Sequence, residues 1–167
     1  MAVEFDSLDD MPHASQRPAA IDTCLFDALA YLGLLPFVIG IAMQITGVTL
    51  FGVGGRFWFA AYSTAILSFL CGIWWGGALN RVRHPHRLAL ILLSNLVCVA
   101  AWFALLLYAT FWGLPLLAAG FAFVLWAEAR LNPNLPRRYN YFKTRSRVSY
   151  LVIGCHLVMI AVIALTG

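Results

Sequence analysis

Side chains able to do acid–base, nucleophilic or metal chemistry are sparse here: four histidines, four cysteines and seven acids in 167 residues. The cysteines, Cys24, Cys71, Cys98 and Cys155, show neither Cys-x-x-Cys nor Cys/His ligand spacing. They read as small apolar residues rather than as a redox or metal centre. Cys155 and His156 are neighbours, yet consecutive helical residues point about 100° apart and cannot chelate one ion together. His156 is the one histidine inside a long apolar run. At such a depth a histidine can carry protons, ligate haem or hydrogen-bond a neighbouring helix. Haem would need a second buried histidine, but His84 and His86 sit among arginines and His13 in a polar tail. A proton relay would need acids at similar depth. Asp27 and Glu128 instead fall near the ends of apolar runs, where a side chain can snorkel or pair with Arg130 or Arg81. His156 is therefore expected to bond between helices, and no catalytic residue, cofactor or metal is assigned.

The elements that must hold these residues follow from the charges. Hydrophobic residues make up 62% of the chain and charged ones 11%, with a mean hydropathy of +0.84. So few charges cannot cover a water-facing globule, which excludes a soluble enzyme, a disordered chain and a disulfide-stapled secreted domain. Uncharged stretches cover residues 28–55, 57–80, 88–127 and 148 onward. About 20 apolar residues span a hydrocarbon core of roughly 30 Å, so three of these hold one helix each. The third is long enough for two, and Gly113-Leu114-Pro115 is its only punctuation. The expected fold is all-α, an integral membrane bundle of five helices over 26–45, 58–79, 88–109, 115–131 and 148–165. Continuous apolar runs exclude barrel strands, which alternate.

Five spans put ten of the eleven basic residues on one side, with Arg56 alone on the other. Basic loops stay cytoplasmic, so the N-terminus is expected inside and the C-terminus outside. Residues 1–24 carry five of the seven acids and read as a disordered cytoplasmic tail rather than a signal peptide. The last loop mixes Tyr139, Tyr141 and Phe142 with Arg137, Arg138, Lys143, Arg145 and Arg147. Those five cations are expected to meet anionic lipid headgroups. Because topology already requires the same charges, nucleic acid is not an expected partner. Phe57, Trp58, Phe59 and Tyr62 read as an outer aromatic belt, together with Tyr108, Phe111 and Trp112, and Trp74, Trp75 and Trp126 as an inner one.

The strongest pattern lies on the second span. Every fourth residue gives Ala60, Thr64, Ser68, Gly72, Gly76 and Asn80, a face of small or polar residues on which another backbone can approach closely. It is read as a helix-packing interface, within the chain or with another subunit. In the first span Pro36 lacks a helical donor, and a kink is expected there.

Three segments carry a resemblance: Leu32-Gly-Leu-Leu-Pro-Phe-Val, the run from Tyr62 to Leu79 with Ile66-Leu-Ser-Phe-Leu-Cys-Gly-Ile-Trp-Trp-Gly at its centre, and the basic Arg137-Arg-Tyr ahead of a final helix. Over residues 25–165 the chain resembles the uncharacterised DUF3429 membrane family that includes transmembrane protein 69. That family usually has Gly where this chain has Cys71 and often a polar residue at Trp74, which argues against a ligand at position 74. The resemblance implies a small protein of a bacterial inner membrane, or of a mitochondrial membrane in a eukaryote, and carries over no catalytic residues. The expected role is an accessory or assembly subunit of a larger membrane complex, or a small homo-oligomer. The alternative is a small transporter, channel or lipid-binding protein.

Overall fold

A computed structural model describes residues 27–80, 86–131 and 141–166. The acidic tail, Asp22, Cys24, Arg81, Arg83, His84, Arg137, Arg138 and Tyr139 lie outside the described residues. The helices are α1 (Leu35–Thr46), α2 (Gly55–Asn80), α3 (Arg87–Leu106), α4 (Gly113–Leu131) and α5 (Tyr141–Thr166). Residues 27–32 are also helical and lead into α1. Among the described residues, five stretches are long and apolar enough to cross a membrane: Asp27–Thr46, Gly55–Leu79, Arg87–Leu106, Gly113–Leu131 and Thr144–Thr166. The protein is an all-α, five-helix, multi-pass membrane protein.

The helices form a ring in chain order, α5 closing back on α1, while α2 also meets α4 across the middle. That arrangement makes α2 the central element. Its inward row of Leu67, Cys71, Trp74 and Ala78 is buried, at the three- and four-residue steps of a single helical face. On α3 the small residues gather on the inner face. Leu90, Ser94, Val97, Ala101 and Ala104 point inward, whereas Leu88, Leu92, Leu96, Val99, Phe103 and Leu106 point outward. Lipid tails are as apolar as leucine, so association relies on close backbone approach and small residues go to the inside.

The first span breaks before its proline rather than at it. Residues 33 and 34 form a turn, and Pro36 sits in the first turn of α1, where a missing N–H costs nothing. Phe37 N bonds the Leu34 carbonyl at 3.1 Å, which leaves the Gly33 carbonyl without its helical partner four residues on. Tyr62 of α2 donates its hydroxyl to that oxygen at 3.0 Å, and Trp58 donates its indole N–H to the Pro36 carbonyl at 3.3 Å. Two residues read from sequence as an outer aromatic belt thus serve the backbone of α1. Phe59, between them, is fully buried.

At the opposite end of the first span, Gly47 closes α1 in the left-handed conformation (φ 70°). A tight turn follows, with Phe51 and Gly52 at φ 53° and 74° and Leu50 and Val53 exchanging backbone bonds of 3.1 and 2.9 Å. Arg56, the solitary basic residue of this end, donates to the Thr110 carbonyl in the α3–α4 turn at 2.7 Å. The first loop and the hairpin are thereby joined at one face of the bundle.

Candidate functional site

Two polar constellations are buried between the helices. The first joins α2, α4 and α5 near the ends that bear the basic residues. Trp74 donates its indole N–H to Glu128 Oε1 at 3.0 Å, and the same oxygen forms an ion pair with Arg145. All three side chains are buried, Arg145 retaining 9% exposure and Glu128 5%. Removing one partner from such a pair strands a charge in a poorly solvated interior. The pairing also explains why α5 starts at Tyr141, seven residues ahead of Val148: the cations of 143–147 belong to the helix, and Arg145 is held by α4.

This differs from the sequence reading of both residues. Glu128 reaches neither water nor Arg130 but turns inward to Arg145, and Trp74 lies in the core rather than in an aromatic belt, with 0% exposure. The signal was present in the composition. Glu128 is the only acid beyond residue 27, and a single acid close to a span calls for a cation on a neighbouring helix.

The second constellation lies deeper. Ser63 of α2 meets His156 Nε2 of α5 at 3.2 Å, and His156 Nδ1 lies 2.8 Å from the Val152 carbonyl one turn back. A carbonyl only accepts, so Nδ1 carries the proton and Nε2 accepts from the Ser63 hydroxyl. Phe59, Phe121 and Phe37 surround the imidazole at centroid distances of 4.8, 5.3 and 5.9 Å. Serine beside histidine is two-thirds of a nucleophilic triad. Here, however, Nδ1 is oriented by a backbone carbonyl instead of a carboxylate, and both side chains have 0% exposure. The pair ties α2 to α5. Asn95 bonds its own helix at Ile91. Among the described residues, no group of three or more His, Cys, Asp or Glu could hold a metal ion.

The small-residue stripe of α2 divides into two halves. Ala60 is buried; Thr64 donates to the carbonyls of Ala60 and Ala101 at 3.0 and 3.3 Å; Ser68 accepts a long bond from Cys98 Sγ at 3.6 Å. That half packs on α3. Gly72 and Gly76 are exposed, and a β-carbon at either would meet no atom within 4 Å among the described residues. They lie on an outward row with Phe69 and Leu79, where they leave a notch between two large side chains. The side chains of Asn80 and Lys143 lie outside the described residues, while Arg147 is exposed.

A cavity of about 190 Å³ opens beside the first constellation, between residues 27–37, α2 and α5. Its wall is apolar except for Arg145 and Ser149.

One family matches the chain, described as a protein of unknown function (DUF3429), over residues 25–161. No curated protein and no solved structure matches the chain significantly.

Proposed function

We propose that this chain, which belongs to the DUF3429 family of proteins of unknown function, is a bacterial inner-membrane protein that works as an accessory or assembly subunit of a larger membrane complex or as a small homo-oligomer. Its docking face is the glycine notch of α2. The single observation behind this reading is that Gly72 and Gly76, spaced four apart on one helical face, are exposed and that a β-carbon at either would meet no atom within 4 Å among the described residues. Lipid offers no hydrophobic drive for helices to associate, so a second helix gains most where it can bring its backbone close. A notch flanked by Phe69 and Leu79 offers that closeness together with side chains to pack against. On the same reading His156 and the Glu128–Arg145 pair act as interhelical ties that keep the bundle rigid behind the docking face. The Ser63–His156 bond and the Glu128–Arg145 ion pair would both have to be broken by a transport path running through them.

The test is extraction in a mild detergent followed by native mass spectrometry. The wild-type chain should run with a stoichiometric transmembrane partner or as a defined homo-oligomer, and Gly72→Leu with Gly76→Leu should release it as a folded monomer. A wild-type protein that is monomeric under every gentle condition overturns the reading.

A further inference from the structure

Asn95 holds a position that packing within the chain does not account for. It is the ninth of the 20 residues of α3, about 12 Å along the helix at roughly 1.5 Å per residue. That is close to the middle of a hydrocarbon core of roughly 30 Å. Ser94, one residue earlier, is buried, but Asn95 is exposed on the outer surface of the bundle. Its Nδ2 donates to the Ile91 carbonyl at 2.9 Å, the one hydrogen bond of this side chain among the described residues. The second N–H and the whole of Oδ1 are left toward hydrocarbon, where no water can satisfy them and an unmatched polar group is costly.

The chemistry of the amide names its partner. It needs a donor for Oδ1 and an acceptor for the free N–H, side by side and at the same depth. A second carboxamide offers both, since two such groups exchange a reciprocal pair of bonds. Symmetry puts one there. Ten of the eleven basic residues lie on one side of five spans and thread every copy of the chain the same way. A two-fold axis relating two copies therefore runs along the bilayer normal, and a residue beside it faces its own counterpart at equal depth. The neighbours of Asn95 suit such an axis. Leu88, Val99, Trp102 and Leu106 are exposed along the same side of α3. Their steps of seven, four, three and four through Asn95 are those of a seam between parallel helices, in which a single asparagine sets the register. On α2, Thr64 bonds the Ala101 carbonyl and Ser68 meets Cys98, so the two antiparallel helices advance in step. The next turn brings Gly72 level with Asn95.

We infer that two copies of this chain pair along α3, their Asn95 amides exchanging hydrogen bonds across a two-fold axis at mid-membrane. The inference rests on the docking reading above and names a second copy as the partner.

Full-length protein carrying donor dye on some copies and acceptor dye on others is mixed in bicelles, and energy transfer is followed as the ratio of lipid to protein is raised. The wild type should dimerise. Asn95→Leu, which presents an apolar side chain to lipid, should weaken the dimer at least about tenfold, and Asn95→Gln, which keeps the carboxamide, should stay within about threefold of the wild type. Oxidation by copper phenanthroline on a cysteine-free background reads the same contact without relying on Asn95→Leu. Asn95→Cys should form a disulfide-linked dimer, whereas Leu96→Cys, at the same depth but about 100° around the helix, should not. A wild-type chain that stays monomeric throughout overturns both the inference and the docking reading. The inference alone falls if native mass spectrometry finds the chain only with a different subunit, or if Asn95→Leu dimerises like the wild type. It falls equally if Asn95→Gln is as weak as Asn95→Leu, or if Asn95→Cys cross-links no better than Leu96→Cys.

Discussion

Ser63 and His156 stand 93 positions apart in the chain and 3.2 Å apart in the bundle, where the hydroxyl fills the one imidazole nitrogen that the Val152 carbonyl does not. Ser63→Ala would leave Nε2 as a buried acceptor without a donor. Hydrogen bonds between membrane helices average about 0.6 kcal/mol and reach about 1.7, while an unsatisfied buried group costs roughly 1–3 kcal/mol. We expect Ser63→Ala to destabilise by about 1–2 kcal/mol. His156→Ala, which also empties the space between Phe37, Phe59 and Phe121, should cost about 3–5 kcal/mol. Reversible unfolding in mixed micelles measures both.

The ion pair of Glu128 and Arg145 should show strong non-additivity. Glu128→Gln leaves a buried guanidinium without its counter-charge, at a cost of about 3–5 kcal/mol. The double variant Glu128→Leu with Arg145→Met removes both charges and should be more stable than either single change. A double-mutant cycle in which the two effects simply add would contradict the burial seen here.

Glycines should divide sharply by position. A β-carbon at Gly55 would lie 2.5 Å from the Gln44 nitrogen and 2.7 Å from the Gly40 carbonyl oxygen. Both are backbone atoms that cannot step aside, so Gly55→Ala should separate α1 from α2 and reduce the yield of folded protein severalfold. Gly72→Ala meets nothing and removes a flexible residue from a helix, which is worth up to about 1 kcal/mol in its favour. Melting temperatures of the two purified variants are the comparison, and a Gly72→Ala as damaging as Gly55→Ala would contradict the open space at Gly72.

Orientation is open to direct labelling. With five spans and ten of eleven basic residues on one side, single cysteines at Thr110 and Thr166 on a cysteine-free background should react with an impermeant maleimide in intact cells. A cysteine at Ser15 should react only after lysis. Labelling of Ser15 and Thr166 from the same compartment would reverse the expectation.

The number of helices was legible because charge is expensive in hydrocarbon, so the gaps between charges trace the spans. The same ruler failed at α5. It treats every arginine as a boundary, whereas Arg145 is carried inside by Glu128. Pairing across helices is a long-range fact, and no spacing along the chain encodes it. The aromatic belts failed in the same way at Tyr62, Trp58 and Trp74. An indole or phenol prefers the headgroup level only until a nearer acceptor exists, and the broken backbone of α1 and the Glu128 carboxylate supply one. The stripe on α2 was visible as a periodicity, but that its upper half faces α3 while Gly72 and Gly76 face outward depends on where the neighbouring helices run.

The distribution of α3, with Ser94, Ala101 and Ala104 inside and Leu92, Leu96 and Phe103 outside, sets which positions can drift. In a water-soluble bundle the large central residues are the intolerant ones and the rim is free. Here Leu92 or Leu96 could be exchanged for nearly any greasy side chain, because the fluid around it adapts to any outline. Ser94, Ala101 and Ala104 have no such latitude, since one added methylene would wedge the helices apart. Along α3 a saturation mutagenesis map should therefore show Ser94, Ala101 and Ala104 as far less forgiving than Leu92 or Leu96.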